Sequence, residues 1–140
     1  MVTVANSGPD NGLAFNREVI QAGLESVAGV TERKVRVARY RRRLAGEYAG
    51  VYENEIMRAV IVSTGTGLTA EFAIKADVRA NATTDLPPDM PAAPIALIRG
   101  EPDHYLVTGG GLAGQRGYFG RDAAGTVATV DMAGRQFTRR

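Results

Sequence analysis

The stretch from Leu68 to Val78 alternates almost without fault. Leu68, Ala70, Phe72, Ile74, Ala76 and Val78 fall on one side of an extended chain, Thr69, Glu71, Lys75 and Asp77 on the other, and only Ala73 breaks the rule. A period of two belongs to a strand with one dry face and one wet face. The same texture recurs on both sides of it. Residues Ile56 to Ser63 are β-branched and apolar, and Thr64-Gly65-Thr66-Gly67 supplies a hairpin loop between the two strands. Further strands are expected near Glu47–Tyr52, Ile95–Arg99, His104–Thr108, Gln115–Arg121, Thr126–Asp131 and Arg135–Thr138, with turns at Asp122–Gly125 and Ala133-Gly134. Residues 80–94 contain Pro87, Pro88, Pro91 and Pro94, which interrupt backbone ladders, so this segment reads as a loop. Eight short strands with hairpin spacing fit an antiparallel barrel or sandwich, and their compactness within residues 46–140 favours a mainly β, eight-stranded up-and-down barrel. Phe72, Ile74, Tyr118, Phe119 and Phe137 are the candidates for its interior.

Ahead of that region the texture differs. In residues 1–30, Val2 and Val4 alternate with Thr3 as a short strand, and a turn-rich stretch from Ser7 to Gly12 follows. A helix is then expected, with Asn16 as its N-cap, Val19, Ile20, Leu24 and Val27 near one face, and Gly29 at the exit. Residues 31–45 read as a basic linker with some extended structure. Seven basic side chains (Arg33, Lys34, Arg36, Arg39, Arg41, Arg42 and Arg43) and one acid, Glu32, give residues 31–43 a net charge of +6. The chain as a whole carries only +2, so the remainder sums to −4.

Several function classes are excluded by residue inventory. The chain has no cysteine and one histidine, His104. Thiolate zinc sites, iron–sulfur clusters, disulfide frameworks and cysteine nucleophiles are therefore ruled out, and no metal or cofactor is expected. No apolar run approaches the length of a membrane-spanning helix. The first twelve residues, MVTVANSGPDNG, lack both the basic start and the apolar stretch of a secretory leader. The compartment stays open on these grounds.

Three short motifs match catalytic or cofactor signatures by letter and fail on context. Gly109-Gly110-Gly111-Leu112-Ala113-Gly114 fits G-x-G-x-x-G, but Gly117 and Gly120 follow closely, so a helix starting at those glycines is not expected and a hairpin loop is. Tyr52-Glu53-Asn54 fits the Y-x-N element of penicillin-recognising serine enzymes, yet Ser7, Ser26 and Ser63 all lack a lysine three residues on, and K-T-G is missing. A strand end entering an Asn turn accounts for it. His104 reads as a turn or surface histidine. The acid pairs Glu53 with Glu55 and Asp85 with Asp89 read as solvated.

The basic segment offers an anion-binding surface made of Arg33, Lys34, Arg36, Arg39, Arg41, Arg42 and Arg43. Such a stripe can follow phosphate backbones or anionic head groups. It also occurs as a solvated linker or as an arm pairing with acids of a neighbouring domain, and this intra- or interdomain role is the preferred reading over nucleic acid or membrane contact.

Taken in order, these segments resemble a known arrangement. Met1 to Ser7 followed by Leu13 to Val30 resembles the last core strand and C-terminal helix of serine β-lactamase-like hydrolases, the group of class C β-lactamases, D-alanyl-D-alanine carboxypeptidases, esterases and D-aminopeptidases. Residues 44–55 (LAGEYAGVYENE) and 119–139 (FGRDAAGTVATVDMAGRQFTR) resemble the first and last strands of the lipocalin-like barrel often fused behind that catalytic domain. The resemblance implies three parts: a catalytic-domain remnant over 1–30, a linker over 31–45 and a barrel domain over 46–140. The family's nucleophilic serine, lysine base, Y-x-N tyrosine and K-T-G or H-x-G strand would all lie upstream of Met1, so none transfers to a residue here. The implied role is a non-catalytic accessory domain that stabilises a serine hydrolase or shapes its active-site entrance through loops 80–94 and 109–114.

Two other functions compete with it. One is a stand-alone lipocalin-like binder of a small apolar ligand. The other is an anion-binding adaptor working through residues 33–43. The apolar face of the 13–28 helix is one that the sheet of the missing hydrolase domain would have covered; in its absence the helix is expected to pack on its own barrel or on a second copy of the chain, because leaving Leu, Ile or Val wet forgoes roughly 1.5–3 kcal/mol each.

Overall fold

A computed structural model describes residues 12–29 and 35–140. Eight antiparallel strands form a closed barrel in sequential order: β1 (Gly50–Glu53), β2 (Met57–Ser63), β3 (Leu68–Ile74), β4 (Met90–Leu97), β5 (His104–Val107), β6 (Arg116–Arg121), β7 (Val127–Met132) and β8 (Arg135–Arg139). The ring shuts where β1 meets β8, with Tyr52 opposite Arg139 and Glu53 opposite Thr138. Among the described residues three helices accompany it: α1 (Gly12–Ala28), α2 (Arg42–Tyr48) and α3 (Ala76–Ala80). The expected strand at Val2–Val4 and the turn residues up to Asn11 lie outside the described residues.

Alternation puts one face of each strand inside. Tyr52, Ala59, Ile61, Leu68, Ala70, Phe72, Ile95, Tyr105, Val107, Phe119, Val130 and Phe137 are buried together. The interior is filled by side chains. Phe72 and Phe137 pack with ring centroids 5.7 Å apart, and Phe119 lies 5.1 Å from Tyr105 and 4.5 Å from Tyr48. Tyr105 crosses the space where a side chain at position 117 would stand: a Cβ on Gly117 would run into the Tyr105 ring and the Asp131 carbonyl. Its hydroxyl donates to that carbonyl at 2.8 Å.

The turns follow local chemistry. Asn54 Oδ1 accepts from the backbone N–H groups of Ile56 and Met57 at 3.0 and 2.7 Å, and Asp122 Oδ1 does the same for Ala124 and Thr126 at 3.0 and 2.9 Å. Ala133 and Gly134 both have positive φ (53° and 76°), the backbone of a two-residue hairpin turn whose twist matches its strands.

Four expectations are corrected, and a fifth loses one of its two branches. The regular strand ends at Ile74, and Ala76 to Ala80 curl into α3, although the apolar alternation runs on to Val78. Residues 80–94 are not all loop. Pro91 and Pro94 lie in β4, where Pro91 falls in a bulge against β3 and Pro94 stands just past the end of the β5 ladder, so neither missing N–H breaks a rung. The segment read as linker and then strand, around 42–49, is instead α2, whose Ala45 and Tyr48 are buried one turn apart. Asn16 lies inside α1 and does not cap it, whereas Gly29 ends that helix as expected, with φ +63° and its N–H on the Glu25 carbonyl at 3.2 Å. Finally, of the two surfaces expected to cover the apolar face of α1, the barrel does not: Val19 is half-buried, but Ile20, Leu24 and Val27 are exposed.

Candidate functional site

The basic segment is held as an arm across one end of the barrel. The Ala38 N–H donates to the Leu97 carbonyl at 2.7 Å, and the Arg99 N–H donates to the Arg36 carbonyl at 2.8 Å, so residues 36–38 run beside Ile98 where β3 has already ended. Tyr40 shares a 2.7 Å hydrogen bond with Ser63 at the tip of β2. The arm's backbone is therefore pinned while its arginine side chains face water. Arg36, Arg39, Arg41, Arg42 and Arg43 are all exposed, and none has an ion-pair partner among the described residues. Arg33 and Lys34 lie outside the described residues.

Helix α2 follows the arm and seals this end. Tyr48 enters the interior against Phe119, and the Tyr52 hydroxyl donates to the Tyr48 carbonyl at 2.7 Å. Arg139, from the far end of the sequence, caps the helix by donating to the carbonyls of Glu47 at 3.0 Å and Ala49 at 2.6 Å.

A polar lock fixes Tyr48 from outside. Its hydroxyl donates to Asp103 Oδ1 at 2.8 Å. Arg121 grips the same carboxylate through Nε, 3.0 Å from each oxygen, and through Nη2 at 2.8 Å; it also reaches Glu47 at 3.2 Å and the Gly125 carbonyl at 2.8 Å. The Arg121 guanidinium lowers the Asp103 pKa below the ordinary carboxylate range. Burial, reinforced by Asp103, pushes the Tyr48 hydroxyl up to about 12. Asp103 sits at φ +62°, a left-handed conformation that Asp tolerates better than most residues. Every polar group of the lock has a partner, so the cluster braces the helix and leaves no group poised for proton transfer.

The interior candidates separate cleanly. Phe72, Phe119 and Phe137 are buried, and Ile74 is half-buried at the end of β3. Tyr118 is corrected to the outer face, 42% exposed and beside His104 with ring centroids 5.9 Å apart. Adjacent residues of one strand point to opposite sides, so Tyr118 and Phe119 cannot both face inward.

The motif segments also find definite places. Gly109 to Gly114 forms successive turns with no helix at its glycines, and its Leu112 leans on the core. Tyr52 is buried in the barrel, and Asn54 makes the β1–β2 turn. His104 is exposed, its Nδ1 3.0 Å from the Pro102 carbonyl. Of the acids read as solvated, Glu53 is corrected to a half-buried partner that meets Arg140 at 3.0 Å, while Asp89 is exposed as read and also accepts from the Ile74 N–H at 3.0 Å and from Arg79 at 2.6 Å. Those two bonds, the backbone one foremost, depress the Asp89 pKa. Among the described residues no group of three His, Asp or Glu side chains is placed to hold a metal ion. Compared with known protein families and with curated proteins, the chain matches none.

Sequence reading missed the lock because Asp103 and Arg121 are 18 positions apart on separate strand ends. It missed α2 despite a usable signal: Leu44 and Tyr48 stand four residues apart, a helical interval beside the basic run.

Proposed function

We propose that this barrel is a non-catalytic accessory module of a serine β-lactamase-type hydrolase, acting by packing against and stabilising the catalytic domain. The observation that carries the reading is the apolar stripe of α1, with Ile20, Leu24 and Val27 exposed on one face directly ahead of the barrel. In the hydrolases that the sequence resembles, a helix at this place lies across the catalytic sheet. A stripe of that size is what such a sheet would cover.

The geometry also favours one of the two roles implied by the resemblance. The chain enters the barrel at the α2 end, through the arm. The loop between α3 and β4 and the glycine-rich loop 109–114 both emerge at the opposite end, by the alternation of strand directions. Loops on the side away from the entering chain are poorly placed to line a mouth next to it, so stabilisation is the role put forward. The alternative of a ligand enclosed by the barrel finds less support, because Tyr52, Tyr105, Phe119 and Phe137 occupy the volume such a ligand would need.

The test is to read the codons upstream of Met1. An in-frame S-x-x-K within a few hundred codons is expected, and a stop codon close upstream overturns the proposal. Independently, the purified chain is expected to leave chromogenic lactams and p-nitrophenyl esters intact. Turnover that survives Ser63→Ala would contradict the non-catalytic reading.

A further inference from the structure

Between the arm and the barrel wall lies a partly enclosed cleft of about 230 Å³. Leu68, Ile95 and Leu97 give it an apolar floor, Thr66 adds a hydroxyl at one side, and Arg39 and Arg41 stand at its rim. The two arginines are separated by one residue on an extended segment, so both project on the same side of the arm. Neither side chain has a hydrogen-bond or ion-pair partner among the described residues. The backbone beneath them is fixed by the Ala38–Leu97 hydrogen bond and by the Tyr40–Ser63 contact. The rim charges are thus unpaired and carried on a held backbone, above a surface that a hydrocarbon chain would wet better than water does.

We propose that this cleft binds a small aliphatic carboxylate, with its carboxylate between Arg39 and Arg41 and its chain on Leu68, Ile95 and Leu97. Size sets the chain length. At about 230 Å³ the cleft lies below the usual range for drug-sized sites, which suits a short aliphatic chain such as that of octanoate. Charge sets the head group. A guanidinium matches a carboxylate in shape and donor spacing, and two of them on one rim can engage both oxygens. A polyanion fits less well, because Arg36, Arg42 and Arg43 do not line the cleft and the floor is apolar. The site lies at the arm-covered end of the barrel, where Leu68 and Ile95 of the interior reach its floor; it is separate from the α1 stripe and stands or falls independently of the proposed function.

The experiment is an amide NMR titration of the full chain with octanoate, octanol and inorganic phosphate. Octanoate is expected to give saturable shifts at Ala38, Thr66, Gly67 and Ala96, with octanol and phosphate each weaker by about tenfold or more. R39S/R41S is expected to weaken octanoate by about tenfold or more, while R36S/R42S, which removes the same charge from the same basic segment, changes it by less than about twofold. Both double variants change exposed, unpaired side chains, and an unchanged thermal midpoint confirms their fold. The proposal is overturned if octanoate shifts fail to saturate or scatter over the surface. It is equally overturned if octanol or phosphate matches octanoate, or if R36S/R42S weakens binding as much as R39S/R41S.

Discussion

At one end of the barrel, helix α2 drives Tyr48 into the interior, and a two-pronged arginine–carboxylate pair holds it there. At the other, α3 and the loop after it rest on Asp89 and Arg79, and Leu112 of the glycine-rich loop leans on the core from outside. The first end is closed by a buried aromatic ring and a fully bonded network. The second is closed by exposed polar contacts that water can replace. A buried ring contributes several kcal/mol, whereas an exposed ion pair contributes little. Global stability should therefore be concentrated at the α2 end, and local mobility at the other.

The comparison can be broken most directly at Tyr48. Tyr48→Ala is expected to cost about 3–5 kcal/mol in urea unfolding, well above the cost of Leu112→Ala at the opposite end. Equal costs would mean that the two ends are closed alike. Next comes the wall that joins them. Gly117→Ala forces a methyl group into the Tyr105 ring and the Asp131 carbonyl, and a loss of about 2–3 kcal/mol is expected.

Asp103→Asn is the third test, because it keeps a side chain that tolerates positive φ while removing the charge. A loss of about 2 kcal/mol near neutral pH is expected. The Asp103 pKa is lower in the folded state than in the unfolded one, so its contribution is present above the ordinary carboxylate pKa and disappears as pH falls through the folded value. The stability curves of the wild type and Asp103→Asn should therefore converge in acid. In base the sign reverses. The Tyr48 hydroxyl titrates near 12 when folded, so wild-type stability should fall as pH rises above 10 towards that value, and the difference from Tyr48→Phe should isolate this loss. The smallest effect is expected from Asp89→Asn: faster hydrogen exchange at the Ile74 amide with no measurable change in the unfolding midpoint. A large shift in that midpoint would show that the loop end carries more of the fold than its exposed contacts indicate.

The barrel was legible wherever the pattern was strictly local. Leu68, Ala70 and Phe72 face inward as their spacing requires, and the turns at Thr64–Gly67, Asp122–Gly125 and Ala133-Gly134 use the residues their backbones need. The alternation misled where it outran the ladder. Ala76 and Val78 kept the period after β3 had lost its partner at Ile74, and without a partner the chain turned into α3. Proline misled in the other direction, because its missing N–H is harmless at a bulge or beyond a neighbour's end, and those positions are tertiary facts. Tyr118 was a local error that strand geometry alone could have prevented. The arm was visible as charge, but the hydrogen bonds that pin it depend on Leu97, Arg99 and Ser63, which no local rule associates with it.

Arg139 carries a consequence for the order of events during folding. Its guanidinium holds carbonyls on α2 about ninety positions earlier in the chain, and its strand supplies the seam that shuts the ring. Both contacts require the longest loops in the molecule to close first, which makes them entropically the most expensive to form. A growing chain can build the hairpins from β2 to β7 while β1 still has an open edge and the carbonyls at the end of α2 lack their partner. Until β8 arrives, that edge is a template for pairing with another chain. The hazard is therefore greatest just before synthesis of the last strand is complete, and loss of β8 alone would return the barrel to that state.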